Sequence, residues 1–260
     1  MTKDTRLQQL TDWVHQDFPN ASIEVASADA SFRRYFRVTP NNPDTNHATL
    51  IAMDAPPEHE DCSPFLDVTQ RLRDANVHAP EIIKESLEQG FLLLEDFGST
   101  PYLDVLNNES ADALYCDALN ELINIQQPQA FVHRDYHSRN LMVIDKNNQK
   151  SSQNTGVIDY QDAVLGPITY DLVSILRDCY IVWPVEQVES WALQFKAQLE
   201  KAERIENTKD ETFIQWFDYM GLQRHLKVLG IFARLNHRDG KTNYLDDLPL
   251  TLSYLMNRWS

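Results

Sequence analysis

Cysteine is scarce in this chain of 260 residues. Cys62, Cys116 and Cys179 are odd in number and far apart in the sequence. A disulfide framework needs paired cysteines and a structural zinc site needs closely spaced ligands, so the sequence predicts neither. Unpaired thiols persist in a reducing compartment, and we therefore expect the protein to be cytoplasmic.

Glycine is also rare, with seven residues that all lie at or after Gly90. No two of them have the spacing of a G-x-x-x-x-G-K-S/T phosphate loop or of a G-x-G-x-x-G dinucleotide-binding turn. Both motifs need glycine where the backbone approaches phosphate closely. The sequence therefore excludes Walker-type and Rossmann-type nucleotide sites, and a nucleotide would have to be bound by another architecture.

Basic residues and long apolar runs are lacking as well. The formal net charge is -16, whereas binding nucleic acid requires a basic surface, so we expect no nucleic-acid partner. No apolar run reaches the roughly 18 residues of a membrane span. The polar start MTKDTRLQQL has no apolar signal-peptide core. We expect no membrane partner either, and the sequence does not indicate an oligomeric state.

What is present is an ordinary globular composition, 42% apolar and 24% charged. The periodicity predicts an α+β fold with a β-rich N-terminal lobe over 1–97 and a mostly helical C-terminal lobe over 98–260. Strands are predicted over 31–38, 48–53, 91–95, 131–133, 141–144 and 157–159. Helices are predicted over 5–18, 63–76, 109–125, 170–182, 185–204, 212–235 and 248–259.

Three local predictions accompany this layout. Ser63 is expected to cap the helix over 63–76, with a proline next to it at the first helical position. The polar stretch KNNQKSSQNT, over 146–155, is expected to form the tip of a hairpin. A stripe of the long C-terminal helix is expected to be core, namely Trp216, Met220, Leu226 and Leu229.

Two segments concentrate polar groups beside strand-like runs: VHRDYHSRNLMV over 132–143 and GVIDYQDAVLG over 156–166. We expect their strands to bring Asp135, Asn140 and Asp159 to one rim. Two carboxylates and an amide oxygen suit Mg²⁺, which takes few protein ligands and keeps phosphate oxygens and water. A carboxylate left off the metal could deprotonate a hydroxyl, so the pattern indicates phosphoryl transfer.

These motifs resemble those of known kinases. The pattern H-x-D-x-x-x-x-N, followed by a hydrophobic residue and I-D-Y, resembles the catalytic and metal loops of protein-kinase-like enzymes. The longer text HRDYHSRN…VIDYQDAVLGPITYDLVS resembles the aminoglycoside-phosphotransferase branch. The stretches ASFRRYFRV, LIAMDAPPE, FLLLEDFG and LQRHLKVLGIFARLNHRDGK resemble bacterial N-acetylmuramate/N-acetylglucosamine anomeric kinases, so the likeness covers nearly the whole chain.

The resemblance implies a two-lobed kinase that uses ATP and Mg²⁺ to phosphorylate the anomeric hydroxyl of an amino sugar in cell-wall recycling. Asp135 is then the catalytic base, with Asn140 and Asp159 as magnesium ligands. His133 would brace the catalytic loop, and Asp171 would hold it through backbone N–H groups. The implied nucleotide contacts, which include the backbone of a hinge over 95–97, are Ser31, Phe32, Arg33, Arg37, Met53, Glu95 and Phe97.

The chain departs from the kinase pattern in two places. Met53 stands about where protein kinases have the lysine that neutralises the phosphates, and we expect Arg33 or Arg37 to supply that charge. The chain is also short before His133, where relatives usually have further helical residues that form a wall of the acceptor pocket. Either the acceptor pocket is smaller than in relatives, or a segment near Gln127–Pro128 is missing from the sequence given. The second alternative is favoured, because the residues there make a poor link from the end of a helix to a buried strand.

The sequence nominates acceptor contacts and leaves alternatives open. His137, Arg139 and Arg224 are the candidate acceptor contacts, and a carboxylated sugar would need one arginine. The simpler alternatives are that the loop's Asp and Asn only cap turns and that its His and Arg only pair with an acidic surface. The alternative functions are phosphorylation of an aminoglycoside or other small alcohol, and a nucleotide-binding pseudokinase.

Overall fold

The chain divides into two units, Met1–Thr100 with Met142–Gln161 and Pro101–Leu141 with Asp162–Ser260. The computed structural model describes residues 4–28, 32–41, 48–126, 131–144, 155–239, 248–249 and 251–252. The functional lobes expected over 1–97 and 98–260 stay a prediction.

The first unit contains mainly strands, and the second unit contains mainly helices. The strands are β1 (Ser22–Ala28), β2 (Arg34–Thr39), β3 (Leu50–Asp54), β4 (Ile82–Ser86), β5 (Phe91–Glu95), β6 (Phe131–Val132), β7 (Leu141–Val143), β8 (Thr155–Val157) and β9 (Val164–Leu165). The helices are α1 (Thr5–His15), α2 (Ser63–Asp74), α3 (Tyr102–Val105), α4 (Ala111–Ile125), α5 (Tyr170–Leu176), α6 (Val185–Lys201) and α7 (Asp210–Asp239).

A five-stranded antiparallel sheet in the order β1-β2-β3-β5-β4 dominates the first unit. Side chains alternate between its faces, so every second residue of a strand shares a face. One face packs on helix α1 through Leu10, Trp13, Val14, Phe36, Val38, Leu50, Ala52, Phe91 and Leu93. Met53 and Leu92, the register partners on β3 and β5, are buried on the opposite face.

Strands β7 and β8 form a separate two-stranded ribbon. Met142 and Ile144 pack with Ile158 against Phe97, which follows strand β5. The N–H of Val157 also donates to the carbonyl of His78 (3.0 Å). These contacts attach the segment over 155–161 to the rest of the first unit.

The second unit is built on helices α4, α5, α6 and α7, which pack on one another. Tyr115 of α4 contacts Trp183 and Trp191 edge to face, and its hydroxyl accepts from the Trp183 indole (2.7 Å). A short antiparallel pair, β6 with β9, leads into the loop that begins at His133. Within the described ranges, no helix is both long and apolar enough to cross a membrane.

Several predicted boundaries were wrong. Helix α5 ends at Leu176, not near 182, because Asp178 turns out of the helix to accept backbone N–H groups. Ser63 is the first helical residue and not the cap, and its N–H donates to the Asp61 carboxylate (2.9 Å). Strands β1, β4 and β9 were not predicted. The hairpin tip and most of the helix predicted over 248–259 lie outside the described residues.

The predicted core stripe of helix α7 was also wrong. Trp216 is 41% exposed and Leu226 is 55% exposed, and neither Met220 nor Leu229 is fully buried. The buried stripe consists instead of Phe213, Phe217, Gly221, Arg224, His225, Val228 and Phe232. Because a glycine and two polar residues lie in the middle of this stripe, the spacing of apolar residues alone does not reveal its helical period.

Candidate active site

The loop that follows strand β6 is held at its start by a buried carboxylate of helix α5. The N–H of His133 donates to Oδ2 of Asp171 (2.7 Å), and the N–H of Arg134 donates to Oδ1 (3.0 Å). Asp171 is 0% exposed, and burial raises its pKa to about 7 although the two N–H groups and Arg224 act in the opposite direction. Asp171 thus holds the backbone at the start of this loop.

A second buried carboxylate, which the sequence reasoning missed, holds the same loop further on. Oδ2 of Asp178 accepts both the N–H (2.9 Å) and the hydroxyl (2.5 Å) of Ser138, and Oδ1 accepts the N–H of Tyr180 (3.2 Å). The only sequence signal is an aspartate two helical turns after Asp171, in a mostly apolar stretch. The loop around Asp135 is therefore fixed on both sides.

Asp135 lies between these two attachments and is half-buried. Its carbonyl accepts from the N–H of His137 (2.9 Å) and from Nδ2 of Asn140 (2.9 Å). Its N–H donates to Nδ1 of His133 (3.3 Å), so the neutral His133 ring carries its proton on Nε2. His133 thus braces the loop through the backbone of the proposed base.

Two further contacts fix the backbone next to Asp135. Arg134 has a left-handed backbone (φ 77°), which is uncommon for a side chain of this size, and its Nη1 donates to the carbonyl of Asp162 (3.2 Å). The hydroxyl of the buried Tyr136 donates to the carbonyl of Ala118 on helix α4 (2.7 Å). Such a conformation persists only where surrounding contacts impose it, and it is typical of functional sites.

The second unit also contains the three acceptor candidates. The guanidinium carbon of Arg139 lies 3.6 Å from the centre of the Tyr180 ring, and the His137 ring meets the same ring edge-on at 5.3 Å. Arg224 is only 3% exposed, and its Nε and Nη1 have no hydrogen-bond partner among the described residues. Arg139 and Arg224, both proposed to contact acceptor, thus differ sharply in accessibility.

Asp159 belongs to the first unit and follows strand β8 in a left-handed turn (φ 63°). Aspartate tolerates this conformation better than most residues. The side chain is exposed, and Oδ1 accepts from Nε2 of Gln161 (2.7 Å). The strand predicted to end at Asp159 ends two residues earlier, at Val157, so the carboxylate is carried by a turn.

Each of the two candidate metal ligands carries an oxygen donor of a kind that suits Mg²⁺, Asn140 in the second unit and Asp159 in the first. The Asn140 amide uses its nitrogen for the bond to the Asp135 carbonyl, which identifies Oδ1 as the other end of the amide and as a possible ligand. Carboxylate and amide oxygens are what Mg²⁺ prefers. No group of three or more His, Cys, Asp or Glu side chains suited to a metal occurs in the part of the chain that the structure describes. Phosphate oxygens and water would have to complete the coordination.

The expected hinge lies in the first unit, at the end of strand β5. Glu95 is buried, and its Oε2 accepts from the N–H of Glu81 (3.2 Å). The Phe97 side chain is buried against the β7–β8 ribbon and His78, so an adenine could meet only its backbone. Within the described ranges the Phe97 backbone forms no hydrogen bond.

The arginines expected near the phosphates are both paired with carboxylates. Arg33 contacts Glu60 (Nη2 to Oε2, 3.0 Å), while Arg37 contacts Asp96 (Nε to Oδ2, 2.6 Å) and donates to the carbonyl of Gly98 (3.0 Å). Each pair leaves little net positive charge for a polyphosphate.

The remaining predicted nucleotide contacts differ in exposure. Phe32 is 61% exposed and stacks on His59, with ring centres 4.4 Å apart. Met53 is fully buried within strand β3. Ser31 lies outside the described residues.

Comparison with known proteins identifies the family. The model described as "Phosphotransferase enzyme family" (APH) matches residues 22–127 and 115–208. An N-acetylmuramate/N-acetylglucosamine kinase from Pseudomonas putida is 36% identical over 321 residues, which cover 97% of this chain and 91% of the relative. Because this alignment is longer than the chain, the relative contains residues within it that this chain lacks. The proposed gap near Gln127–Pro128 lies outside the described residues.

Two solved structures share the fold at low sequence identity. A choline kinase from Cryptosporidium parvum Iowa II matches with a TM-score of 0.61 and 11% identity, covering 97% of this chain and 95% of that one. The gentamicin-APH(2")-IIa complex matches with a TM-score of 0.60 and 12% identity, covering 95% of each chain. The predicted α+β protein-kinase-like fold is confirmed. By sequence, the chain belongs to the phosphotransferase enzyme family.

Proposed function

We propose that this phosphotransferase is a cytoplasmic ATP- and Mg²⁺-dependent kinase. Its acceptor would be the anomeric (C1) hydroxyl of N-acetylmuramate or N-acetylglucosamine in cell-wall recycling. The observation that carries the proposal is the loop around Asp135, which two buried carboxylates hold through three N–H donors and one O–H donor of the loop. The name of the Pseudomonas putida relative supports the acceptor class.

Asp135 acts in this proposal as the general base. A half-buried carboxylate can orient the acceptor hydroxyl and take its proton as the phosphoryl group is transferred. An anomeric hydroxyl is more acidic than an ordinary alcohol, so a simple carboxylate is a sufficient base. The backbone contacts of His133 and Asn140 keep Asp135 in place, which is the positioning on which phosphoryl transfer depends.

The metal and nucleotide roles follow the family motif. Asn140 and Asp159 would hold Mg²⁺, which when bound supplies the positive charge that stabilises the phosphates during transfer. The hinge over 95–97 would meet adenine through its backbone. Arg33 or Arg37 would face the phosphates, but the carboxylate that each contacts offsets most of its charge, so Mg²⁺ would have to supply most of the positive charge there.

The test is ADP release by the purified chain with ATP and one acceptor at a time, with and without Mg²⁺. N-acetylmuramate and N-acetylglucosamine are expected to be phosphorylated only with Mg²⁺, while kanamycin is not. Turnover with kanamycin alone would reassign the protein to aminoglycoside phosphorylation. ATP binding without turnover of any acceptor would make it a pseudokinase.

A further inference from the structure

Arg139 is an exposed arginine on the catalytic loop, next to the proposed metal ligand Asn140. It has no carboxylate partner among the described residues, whereas Arg33, Arg37 and Arg177 each have one. The chain carries a net charge of -16, so carboxylates are plentiful on it. Among the described residues Arg139 therefore lacks an internal anion, which leaves its guanidinium for an anion from outside the protein.

Tyr180 holds this arginine in one place. A distance of 3.6 Å from the guanidinium carbon to the ring centre requires the flat face of the guanidinium to lie on the ring. The N–H groups at the edge of the guanidinium then remain available for a carboxylate, which arginine binds with two parallel hydrogen bonds. The Asp178 carboxylate accepts hydrogen bonds from the N–H groups of both Ser138 and Tyr180. It therefore fixes the residue before Arg139 and also the residue whose ring supports Arg139.

Arg224, the other arginine proposed to meet an acceptor, is placed differently. It is 3% exposed, and its Nε and Nη1 are shielded from solvent. Its charge acts on Asp171, the buried carboxylate that holds the catalytic loop. An acceptor could reach those two nitrogens only if the interior of the second unit opened. The geometry therefore favours Arg139 for a contact with substrate and gives Arg224 an internal electrostatic role.

We propose that Arg139, supported by the Tyr180 ring, binds the carboxylate of an acidic amino sugar and sets the preference for acidic over uncharged acceptors. This inference rests on the proposed sugar-kinase function and deepens it by assigning the acceptor's charge to one side chain. N-acetylmuramate carries a carboxylate and N-acetylglucosamine does not, so the pair differs in the group that Arg139 would bind.

A phosphate oxygen of ATP is the other anion that could occupy this position. The two sources separate kinetically, because a phosphate contact serves every acceptor and a carboxylate contact serves only the acidic one. Loss of a phosphate contact would raise the KM for ATP and slow both sugars alike. Loss of a carboxylate contact would act on kcat/KM for N-acetylmuramate and leave the KM for ATP within about twofold.

The experiment measures kcat/KM for both sugars, and the KM for ATP, in wild type, Arg139→Ala and Arg139→Lys. Arg139→Ala is expected to lose about 10- to 100-fold with N-acetylmuramate and less than about threefold with N-acetylglucosamine. Arg139→Lys should restore part of the difference, because lysine keeps the charge but not the paired hydrogen bonds. Arg204→Ala, which removes an exposed arginine after helix α6, is the matched control and should leave both sugars unaffected.

The Tyr180 ring, on which Arg139 stacks, gives a second, independent readout. Tyr180→Phe keeps the ring and should keep the preference for the acidic sugar, whereas Tyr180→Leu removes the stacking surface and should reduce it. Equal losses for both sugars in Arg139→Ala, or an unchanged ratio between them, would overturn the inference. If the wild type phosphorylates neither sugar, the proposed function itself fails, so the two failures are distinguishable.

Discussion

At the scale of one residue, Asp171 stabilises the loop around Asp135, and the burial of its own carboxylate costs free energy. Its carboxylate accepts two backbone N–H groups but is completely buried, and burial of a charge is expensive even when it is hydrogen-bonded. Burial accordingly raises its pKa from 3.8 to about 7. The protonation of this side chain in the folded protein therefore changes near neutral pH.

This shift predicts a pH dependence of stability. The folded state binds a proton at Asp171 more tightly than the unfolded state does. The contribution of this proton to the free energy of unfolding is therefore fully present below about pH 3.8 and is lost as pH rises through about 7. The free energy of unfolding of the wild type minus that of Asp171→Asn should fall between pH 5 and pH 8, by at most about 1.4 kcal/mol per pH unit. Urea unfolding at several pH values measures it, and a constant or rising difference would contradict the assignment.

At the scale of elements, strand β8 depends on a glycine. A Cβ on Gly156 would lie 2.5 Å from Cδ2 of Phe97 and 2.6 Å from Cδ1 of Ile144. Phe97 and Ile144 are themselves buried and cannot withdraw into solvent. The ribbon that carries Asp159 is therefore packed against the hinge segment too tightly for any side chain at this position.

Gly156→Ala should destabilise the protein by about 1–3 kcal/mol, the usual cost of overpacking a core. Gly230→Ala is the matched control, since Gly230 is exposed on helix α7 and a Cβ there meets nothing within 4 Å. That change should instead stabilise by about 0.5–1 kcal/mol, because alanine favours a helix over glycine. Chemical unfolding of both variants measures the contrast, and equal stabilities would show that the ribbon can relax.

The turn after helix α5 is the second element on which the proposed mechanism depends. Asp178→Ala should leave the Ser138 N–H and hydroxyl without their acceptor and loosen the loop beside Asp135. Because small displacements are costly in positioned catalysis, kcat should fall about 10- to 100-fold while the KM for ATP stays within about twofold. Ser138→Ala, which removes only the hydroxyl, should have a smaller effect. A folded Asp178→Ala variant with normal kcat would show that Asp171 alone fixes the loop.

At the scale of the whole molecule, the fold and the catalytic loop were readable from the sequence for a physical reason. The loop's polar residues lie close together in the chain and between apolar strands, so their grouping is a local property. The bonds from the N–H groups of His133 and Arg134 to Asp171 join residues 38 and 37 apart in the chain, so Asp171 followed from the resemblance and not from local grouping. The buried strand over 91–95 was likewise readable, since an unbroken apolar run of this length is typical of a strand covered on both faces.

What was missed depends on contacts between distant parts of the chain. Asp178 and Tyr180 acquire their roles only because the turn after helix α5 meets the loop at Ser138 and Arg139, forty residues earlier. The pairing of Arg37 with Asp96 likewise joins strand β2 to the end of strand β5. Apolar periodicity carries no information about such polar contacts, and the buried Arg224 even obscured the inward face of helix α7.

The most direct measurement compares ADP release by wild type and Asp135→Asn, with N-acetylglucosamine as acceptor and ATP affinity measured by calorimetry. If Asp135 is the base, kcat falls by about 10²- to 10⁴-fold, while the Kd for ATP stays within about twofold. Near-normal turnover in Asp135→Asn would remove this carboxylate from the chemistry and contradict the mechanism.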